Sequence, residues 1–139
     1  MEWVLSKPLK DIELLIKYEK EHKITFPESY VEIIAHYNYG RPRPNVFNTF
    51  MTNQRIAKAL LSFDEKHPEN MWGTLKSLAK QLPSDVYPFM IDQFGNYICF
   101  YYDPLLTLPS VVFFNLEYQR IEGVADDFNG FLLSLYSLS

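Results

Sequence analysis

The sequence predicts an α+β fold in which an antiparallel, meander-like β-sheet is packed by N-terminal, middle and C-terminal helices. Amphipathic stretches with helical spacing lie near both ends of the chain and in its middle, and a clear β-hairpin spans residues 87–102. A further apolar strand is predicted at residues 111–115. We expect one domain over residues 1–139, because a chain of 139 residues with 47% hydrophobic and 22% charged residues matches a single globular core.

Two helices are predicted at the N-terminal end. The first covers about residues 8–22 and the second residues 27–37, and in both the apolar side chains recur every three to four residues. A proline is compatible with the first turn of the first helix, and residues 24–27 end that helix. Residues 38–40 supply a position that tolerates positive φ just past the second helix, which favours a C-cap there.

The middle of the chain contains less decisive patterns. The short apolar runs 46–47 and 59–63 are interpreted as strands, although residues 54–61 also allow one or two helical turns. Residues 64–69 are polar and contain a proline, so they predict a loop. Asn70 is placed to cap a third helix, whose apolar stripe follows it directly.

The C-terminal half shows the clearest β pattern. Residues 87–92 and 97–102 are predicted strands, and residues 93–96 are the turn between them, because Gly95 and Asn96 accept the positive φ that tight hairpin turns require.

A last helix is predicted after the strand at residues 111–115. Asp126 or Asp127 caps it, since a carboxylate suits the positive end of the helix dipole. The order of elements is therefore α-α-β-β-α-β-β-β-α. The apolar stripe of this last helix is formed by Phe128, Phe131, Leu132 and Leu135.

The charges are unevenly distributed along the chain. The net charge is −4, yet residues 1–80 hold 12 of the 13 basic and 10 of the 17 acidic side chains, whereas residues 81–139 hold Arg120 and seven carboxylates. A negative field repels phosphate backbones, so we expect no nucleic-acid partner for the C-terminal half. Either these acidic residues keep an aromatic-rich domain soluble, or they form a face for a basic protein partner.

Neither a membrane span nor an export signal is predicted. No apolar run approaches the ~18–20 residues that cross a bilayer, and the N-terminal residues lack a basic start followed by an apolar stretch. The single cysteine, Cys99, has no partner for an intrachain disulfide, which fits a reducing compartment. We therefore expect a cytoplasmic protein with no membrane partner.

The patterns that catalysis requires are missing from the sequence. Glu32 and His36 share a helix face, but two positions do not make a metal site, and there is no His-Glu-x-x-His motif, no Gly-x-Ser-x-Gly elbow and no glycine-rich phosphate loop. Cys99 lies mid-strand without a neighbouring base. Asp92 and Asp103 flank the hairpin as a pair of facing carboxylates would, but aspartates at strand ends are ordinary turn residues. We expect no catalytic residue, no cofactor and no metal.

Aromatic residues make up 17% of the chain, and such residues are enriched in protein interfaces. Alternation along the strand at residues 97–102 places Tyr97, Cys99 and Tyr101 on one face and the intervening residues on the other. One face must pack on the helices. The other face either meets a partner or is covered as well, and the sequence leaves both interpretations open.

The order of the motifs resembles the SMI1/KNR4 family of the SUKH superfamily over about residues 9–135. An amphipathic helix ending in Glu19 comes first. Residues 26–30 then resemble the family's Leu-Pro-x-x-Tyr helix start, and residues 38–42 are similar to its Asn-Gly-Gly-x-Pro turn. The other matching segments are residues 82–83, 87–92, 95–100, 112–117 and the closing helix at 125–132.

This resemblance implies an α+β fold without catalysis and with a protein partner. Bacterial members resemble immunity proteins that bind and block a cognate toxin, often a nuclease, whereas fungal members are regulatory scaffolds linked to cell-wall synthesis. We expect the bacterial type, which would bind a basic toxin through an acidic, aromatic-rich surface. The alternatives are a regulatory scaffold and, ranked last, a small hydrolytic or ligand-binding enzyme built on Asp92, Asp103 and His36. The partner-binding residues of our hypothesis are Asp92, Gly95, Asn96, Tyr97, Tyr101, Asp103, Asn115 and Glu117.

Overall fold

Eight strands and four helices follow one another along residues 1–138, which are the residues that the computed structural model describes. The strands are β1 (Glu2–Val4), β2 (Arg41–Arg43), β3 (Val46–Phe47), β4 (Arg55–Leu60), β5 (Val86–Asp92), β6 (Tyr97–Tyr101), β7 (Ser110–Asn115) and β8 (Arg120–Ala125). The helices are α1 (Ile12–His22), α2 (Glu28–His36), α3 (Met71–Leu78) and α4 (Phe128–Ser134). None of these helices has the length and apolar character that crossing a bilayer requires.

The predicted α+β class and the antiparallel meander are confirmed. Strands β3 to β8 form one six-stranded sheet in which each strand pairs with the next in the chain. Strands β1 and β2 form a separate two-stranded sheet. The meander has a direct consequence for the surface, because every second connection between its strands lies at the same end of the sheet.

The six-stranded sheet curls so that both of its edge strands find partners. On one edge, the backbone N–H groups of Val46 and Tyr136 donate to each other's carbonyl oxygens at 3.0 and 2.9 Å. On the other edge, the loop 48–54 reaches β8, where the Phe50 N–H donates to the Gly123 carbonyl at 2.9 Å. Paired edges protect a sheet from adding a strand of another chain.

One face of the sheet packs against the helices around a cluster of aromatic rings. Phe100 stacks on Phe89 with 4.1 Å between ring centroids. It meets the rings of Tyr30 and Phe128 edge-on at 5.2 and 6.0 Å. These four side chains are fully buried, and their stacked and edge-on contacts are the arrangements that aromatic quadrupoles favour.

The opposite face of the sheet carries a second, smaller apolar cluster. Cys99 is fully buried there, and Tyr97 and Tyr101 are half-buried beside it, as the alternation along β6 predicts. This face is therefore neither fully covered nor fully open. Burial raises the pKa of the Cys99 thiol, which keeps it protonated and unreactive. The other members of the cluster are Val86, Val112, Phe114, Leu82, Leu116 and Ile121.

Capping side chains set the helix starts. Helix α1 begins at Ile12 rather than at about residue 8, because Asp11 accepts a hydrogen bond from the backbone N–H two residues ahead at 3.0 Å. The predicted cap at Asn70 is confirmed, and of the two candidates for α4 the cap is Asp127. Each accepts the backbone N–H three residues ahead, at 2.9 and 2.7 Å.

Three strands were not predicted from the sequence. Strands β1 and β2 have three residues each, and the central residue of β2 is a proline, so neither shows the apolar alternation of a strand. Strand β8 contains Glu122 and Gly123, which interrupt its apolar pattern. Strand β4 runs over Arg55–Leu60, earlier than the predicted strand at residues 59–63, and the helical alternative does not form.

Candidate protein-binding surface

The three hairpins of the meander present an exposed aromatic ring each at the same end of the sheet. The hairpin tips are residues 48–54 between β3 and β4, residues 93–96 between β5 and β6, and residues 116–119 between β7 and β8. We call these residues the hairpin-tip surface. Exposed aromatic rings at three turns on one end of the sheet make this surface a candidate for protein binding. The side chains of Phe50, Phe94 and Tyr118 are 82%, 74% and 61% exposed.

The tip at residues 93–96, which the sequence predicted as a turn, is held from inside by a buried aspartate. Asp92 is only 1% exposed, and its Oδ1 accepts hydrogen bonds from the N–H groups of Phe94 and Asn96 at 2.9 and 2.7 Å. Its Oδ2 accepts a third from the Asn96 side chain at 3.2 Å. Gly95 has a φ of 83°, the left-handed conformation that glycine adopts without strain. Asp92, Gly95 and Asn96 therefore shape the turn, and Phe94 is the side chain that the turn displays.

Two asparagines connect this tip to its neighbour. Asn96 Oδ1 accepts a hydrogen bond from the Leu116 N–H at 3.0 Å, so residues 93–96 are tied to residues 116–119. Asn115 is buried beneath the tip at residues 116–119, and its Oδ1 accepts from the Tyr118 N–H at 3.3 Å. Asn96 and Asn115 thus both hold this tip in place.

Glu122 connects the tip at residues 116–119 to the tip at residues 48–54. It is the central residue of the site, and its role was not predicted from the sequence. Its Oε1 accepts hydrogen bonds from the hydroxyls of Thr49 and Thr52 at 2.6 and 2.8 Å. Its Oε2 accepts from Asn115 Nδ2 and from Arg120 Nε, both at 3.0 Å. We call the side chains Asp92, Asn96, Asn115, Glu122, Thr49 and Thr52 the tip network.

The carboxylate of Glu122 stays charged although the residue is 1% exposed. Burial alone would raise its pKa, but the hydrogen bonds from Thr49, Asn115, Thr52 and Arg120 outweigh burial and lower the pKa to about 2. All four acceptor positions of the carboxylate are used, which is the condition under which a buried charge stabilises a fold.

Two of the displayed rings also rest on fixed neighbours. The guanidinium carbon of Arg120 lies 4.7 Å from the centroid of the Tyr118 ring, and the same guanidinium binds Glu122. The Phe50 ring lies directly over Gly123, where an added Cβ would come within 2.7 Å of the ring. Because Gly123 has no side chain, it leaves the space that the Phe50 ring occupies.

Replacing Gly123 tests whether this space determines the position of the Phe50 ring. We expect Gly123→Ala to displace the Phe50 ring, because the ring is exposed and moves more easily than the strand. The free energy of unfolding should change by less than about 1 kcal/mol. The chemical shifts of the Phe50 ring protons report the movement, and ring shifts that are unchanged in the variant would contradict it.

The family of the chain can be stated once this arrangement is known. A family model described as SMI1-KNR4 cell-wall matches residues 12–132. The chain belongs to the SMI1/KNR4 family. This SUKH family includes immunity proteins and is generally a non-catalytic, immunity-type domain. No curated protein matches the chain. The matched residues include all three tips of the SMI1/KNR4 domain.

The hypothesised partner-binding residues of the SMI1/KNR4 domain do not lie together. Six of them lie in or beside the hairpin-tip surface: Asp92, Gly95, Asn96, Tyr97, Asn115 and Glu117. Tyr101 and Asp103 lie at the opposite end of β6, roughly 17 Å away at the usual rise per residue of a strand. Asp103 caps the loop there by accepting the Leu105 N–H at 2.9 Å.

The residues of the enzyme alternative are likewise separated in this SMI1/KNR4 domain. Asp92 and Asp103 flank opposite ends of β6 and do not face each other. His36 is exposed at the end of α2, where its Nδ1 lies 2.9 Å from the Glu32 carbonyl oxygen. Across residues 1–138, no three His, Cys, Asp or Glu side chains are grouped so that they could hold a metal ion.

The acidic residues of the C-terminal half are also divided between the two ends of the SMI1/KNR4 domain. Asp92 and Glu122 are buried in the tip network, which leaves Glu117 as an exposed carboxylate at the tips. Asp85 and Asp126 are exposed at the opposite end of the sheet. The hairpin-tip surface is therefore mainly aromatic. The exposed carboxylates Asp85 and Asp126 lie at the opposite end of the sheet.

Proposed function

We propose that this SMI1/KNR4 domain is a non-catalytic immunity protein that binds a cognate toxin, of nuclease type and basic, and neutralises it by docking the hairpin-tip surface on it. One observation carries the proposal: three exposed aromatic rings stand on three hairpin tips that a hydrogen-bond network ties to one another. Family membership supports a protein partner, since the SUKH family includes immunity proteins.

The tip network favours tight binding because it fixes the tips before the partner arrives. Ordering loops and side chains at an interface costs free energy, and a surface that is already ordered avoids much of that cost. Aromatic residues contribute more than their share of interface free energy, because each buries a large area with few rotatable bonds. Phe50, Phe94 and Tyr118 are aromatic, and they stand on tips that are already ordered.

The charge of the domain supports a basic partner. The net charge is −4 at neutral pH, and nuclease toxins tend to be basic because their substrate is a polyanion. Opposite net charges accelerate the encounter of two proteins, and this effect weakens as salt is added. Glu117 is the exposed carboxylate nearest the rings, where it would guide the final approach.

The decisive experiment measures toxin binding by variants of the three rings. The toxin to use is the product of a toxin gene found beside this one, and we expect Phe50→Ala, Phe94→Ala and Tyr118→Ala each to weaken its binding about tenfold or more, chiefly through faster dissociation. Association of the unchanged protein should slow as salt is raised. Surface plasmon resonance gives both rates, and co-expression with the toxin gives the neutralisation.

The control is Leu133→Ala, a truncation of an apolar side chain that is 88% exposed on α4. It should bind as the unchanged protein does. Ring variants that bind normally would rule out the hairpin-tip surface as the interface. A neighbouring toxin that is neither bound nor neutralised would overturn the immunity function and favour a regulatory scaffold.

A further inference from the structure

A groove of about 980 Å³ lies at the end of the sheet opposite the hairpin tips. It is bounded by the α1–α2 loop, the start of α2, the start of β5 and the β6–β7 loop. Its volume is that of a ligand-binding cleft rather than of a gap between side chains. None of the residues in the hairpin-tip surface lines it, so the groove is a separate feature of the molecule.

Three aromatic rings line one side of this groove. The rings of His22 and Tyr87 lie 5.7 Å apart at an interplanar angle of 68°, and those of Tyr87 and Tyr102 lie 5.8 Å apart at 80°. Successive rings thus meet edge to face and form one continuous aromatic wall of the groove. The wall is held in place, because the Tyr102 hydroxyl donates to the Thr25 carbonyl oxygen at 3.0 Å and the His22 ring nitrogen lies 2.9 Å from the Tyr18 carbonyl oxygen.

Three carboxylates stand at the rim of the same groove. Glu28, Glu32 and Asp85 all line it and are all exposed, against a single lysine, Lys23. The ion pairs found within residues 1–138 engage other side chains, so these carboxylates keep their charge available. Burial and the nearby Asp85 carboxylate both raise the pKa of Tyr87. The groove therefore combines negative charge with the negative faces of aromatic rings.

An apolar ridge continues the groove on its other side. The β6–β7 loop exposes Leu105, Leu106 and Leu108 at 90%, 54% and 51%, and Leu108 itself lines the groove. Isolated exposed leucines are ordinary, but three on one loop beside an acidic cleft form a patch with a charged rim. A ligand that covers both the groove and this patch would carry apolar side chains as well as positive charge.

We propose that this groove binds an extended basic segment of a protein partner and takes an arginine side chain of that segment against the wall formed by the rings of His22, Tyr87 and Tyr102. A planar guanidinium stacks on aromatic faces and bonds to carboxylates with two parallel hydrogen bonds, so it uses both features of the groove. Apolar residues flanking the arginine pack on the leucine ridge. This surface goes beyond the proposed function, because it is independent of the hairpin tips and of any toxin.

The test uses the intact domain and a short blocked peptide of alternating leucine and arginine residues, followed by ¹H–¹⁵N NMR. We expect saturable amide shifts at Thr25, Asp85, Tyr87 and Tyr102. Tyr87→Ala and Asp85→Asn should each weaken binding about tenfold. Asp85→Asn is the safer variant, because Asp85 has a positive φ of 66° that asparagine also tolerates. Phe94→Ala at the tips should bind the peptide unchanged.

A control peptide makes the result decisive. A peptide with glutamate in place of arginine should give no saturable shifts, since it would meet three carboxylates. Shifts scattered over the acidic surface, or an affinity that Asp85→Asn and Tyr87→Ala both leave intact, would overturn the proposal. If Tyr87→Ala fails to fold, Asp85→Asn and Glu32→Gln decide the question alone.

Discussion

Glu122→Ala is expected to lower the free energy of unfolding by about 3–5 kcal/mol. The variant removes the acceptor of four hydrogen bonds and leaves Thr49, Thr52, Asn115 and Arg120 without their buried partner. An unsatisfied buried polar group costs far more than an exposed one, and one of these groups carries a positive charge. Chemical denaturation monitored by circular dichroism measures the loss. A loss below about 1 kcal/mol would show that the network is not structural.

Glu122→Gln separates the charge of this side chain from its shape. The amide fits the same site and can donate to the threonine oxygens, so the expected loss is only about 1–2 kcal/mol. The pH dependence provides the sharper contrast. The pKa of Glu122 is lowered to about 2 from an ordinary value of 4.5, so the unfolded chain takes up a proton before the folded chain does as pH falls.

The sign of the effect follows from that order of protonation. The stabilisation by the Glu122 carboxylate is fully present above about pH 4.5 and disappears as pH falls through 2. Subtracting the stability of Glu122→Gln from that of the unchanged protein removes the contribution of the other carboxylates. The difference should shrink steadily between pH 4.5 and 2, and a difference that is constant with pH would contradict the lowered pKa.

Phe100→Ala is expected to destabilise the domain by about 3–5 kcal/mol through the cavity that it leaves. Phe100 is fully buried and touches the rings of Tyr30, Phe89 and Phe128, which come from α2, β5 and α4. The surrounding elements are tied to one another by these contacts, so they cannot close around the missing ring. Thermal and chemical denaturation both measure the effect.

Phe94→Ala serves as the matched control for this core variant. It removes the same atoms from a ring that is 74% exposed, so its free energy of unfolding should stay within about 0.5 kcal/mol of the unchanged protein. Equal losses for the two phenylalanines would mean that the core does not depend on the central ring. The pair of variants therefore separates a residue that holds the fold from one that we propose meets a partner.

The parts of the fold that the sequence predicts are those determined by near neighbours in the chain. The β5–β6 hairpin follows from its turn residues, and the caps Asn70 and Asp127 act on groups three residues away. Strand β8 was missed because half of the hydrogen bonds to its buried Glu122 come from Thr49 and Thr52, more than sixty residues earlier in the chain. A carboxylate in a short strand gives no local indication of that partnership.

The candidate surface was predicted only in outline for a similar reason. The predicted residues Gly95 and Asn96 lie at the end of the sheet that carries the hairpin-tip surface, yet Phe94 and Phe50 were not singled out. An aromatic residue in a turn is equally compatible with a buried and an exposed ring, and only the curl of the sheet decides between them. Asp92 was expected to meet a partner, whereas its oxygens are occupied by the turn that it supports.

The separation of supporting and displayed side chains has a consequence for how such a domain diversifies. The exposed rings at positions 50, 94 and 118 contribute little to folding, so mutation is free to exchange them without loss of the scaffold. The polar residues beneath them have no such freedom, since each serves several others at once. Under the proposed function, a lineage of this kind would change its binding partner through a few surface substitutions while inheriting the same interior unaltered.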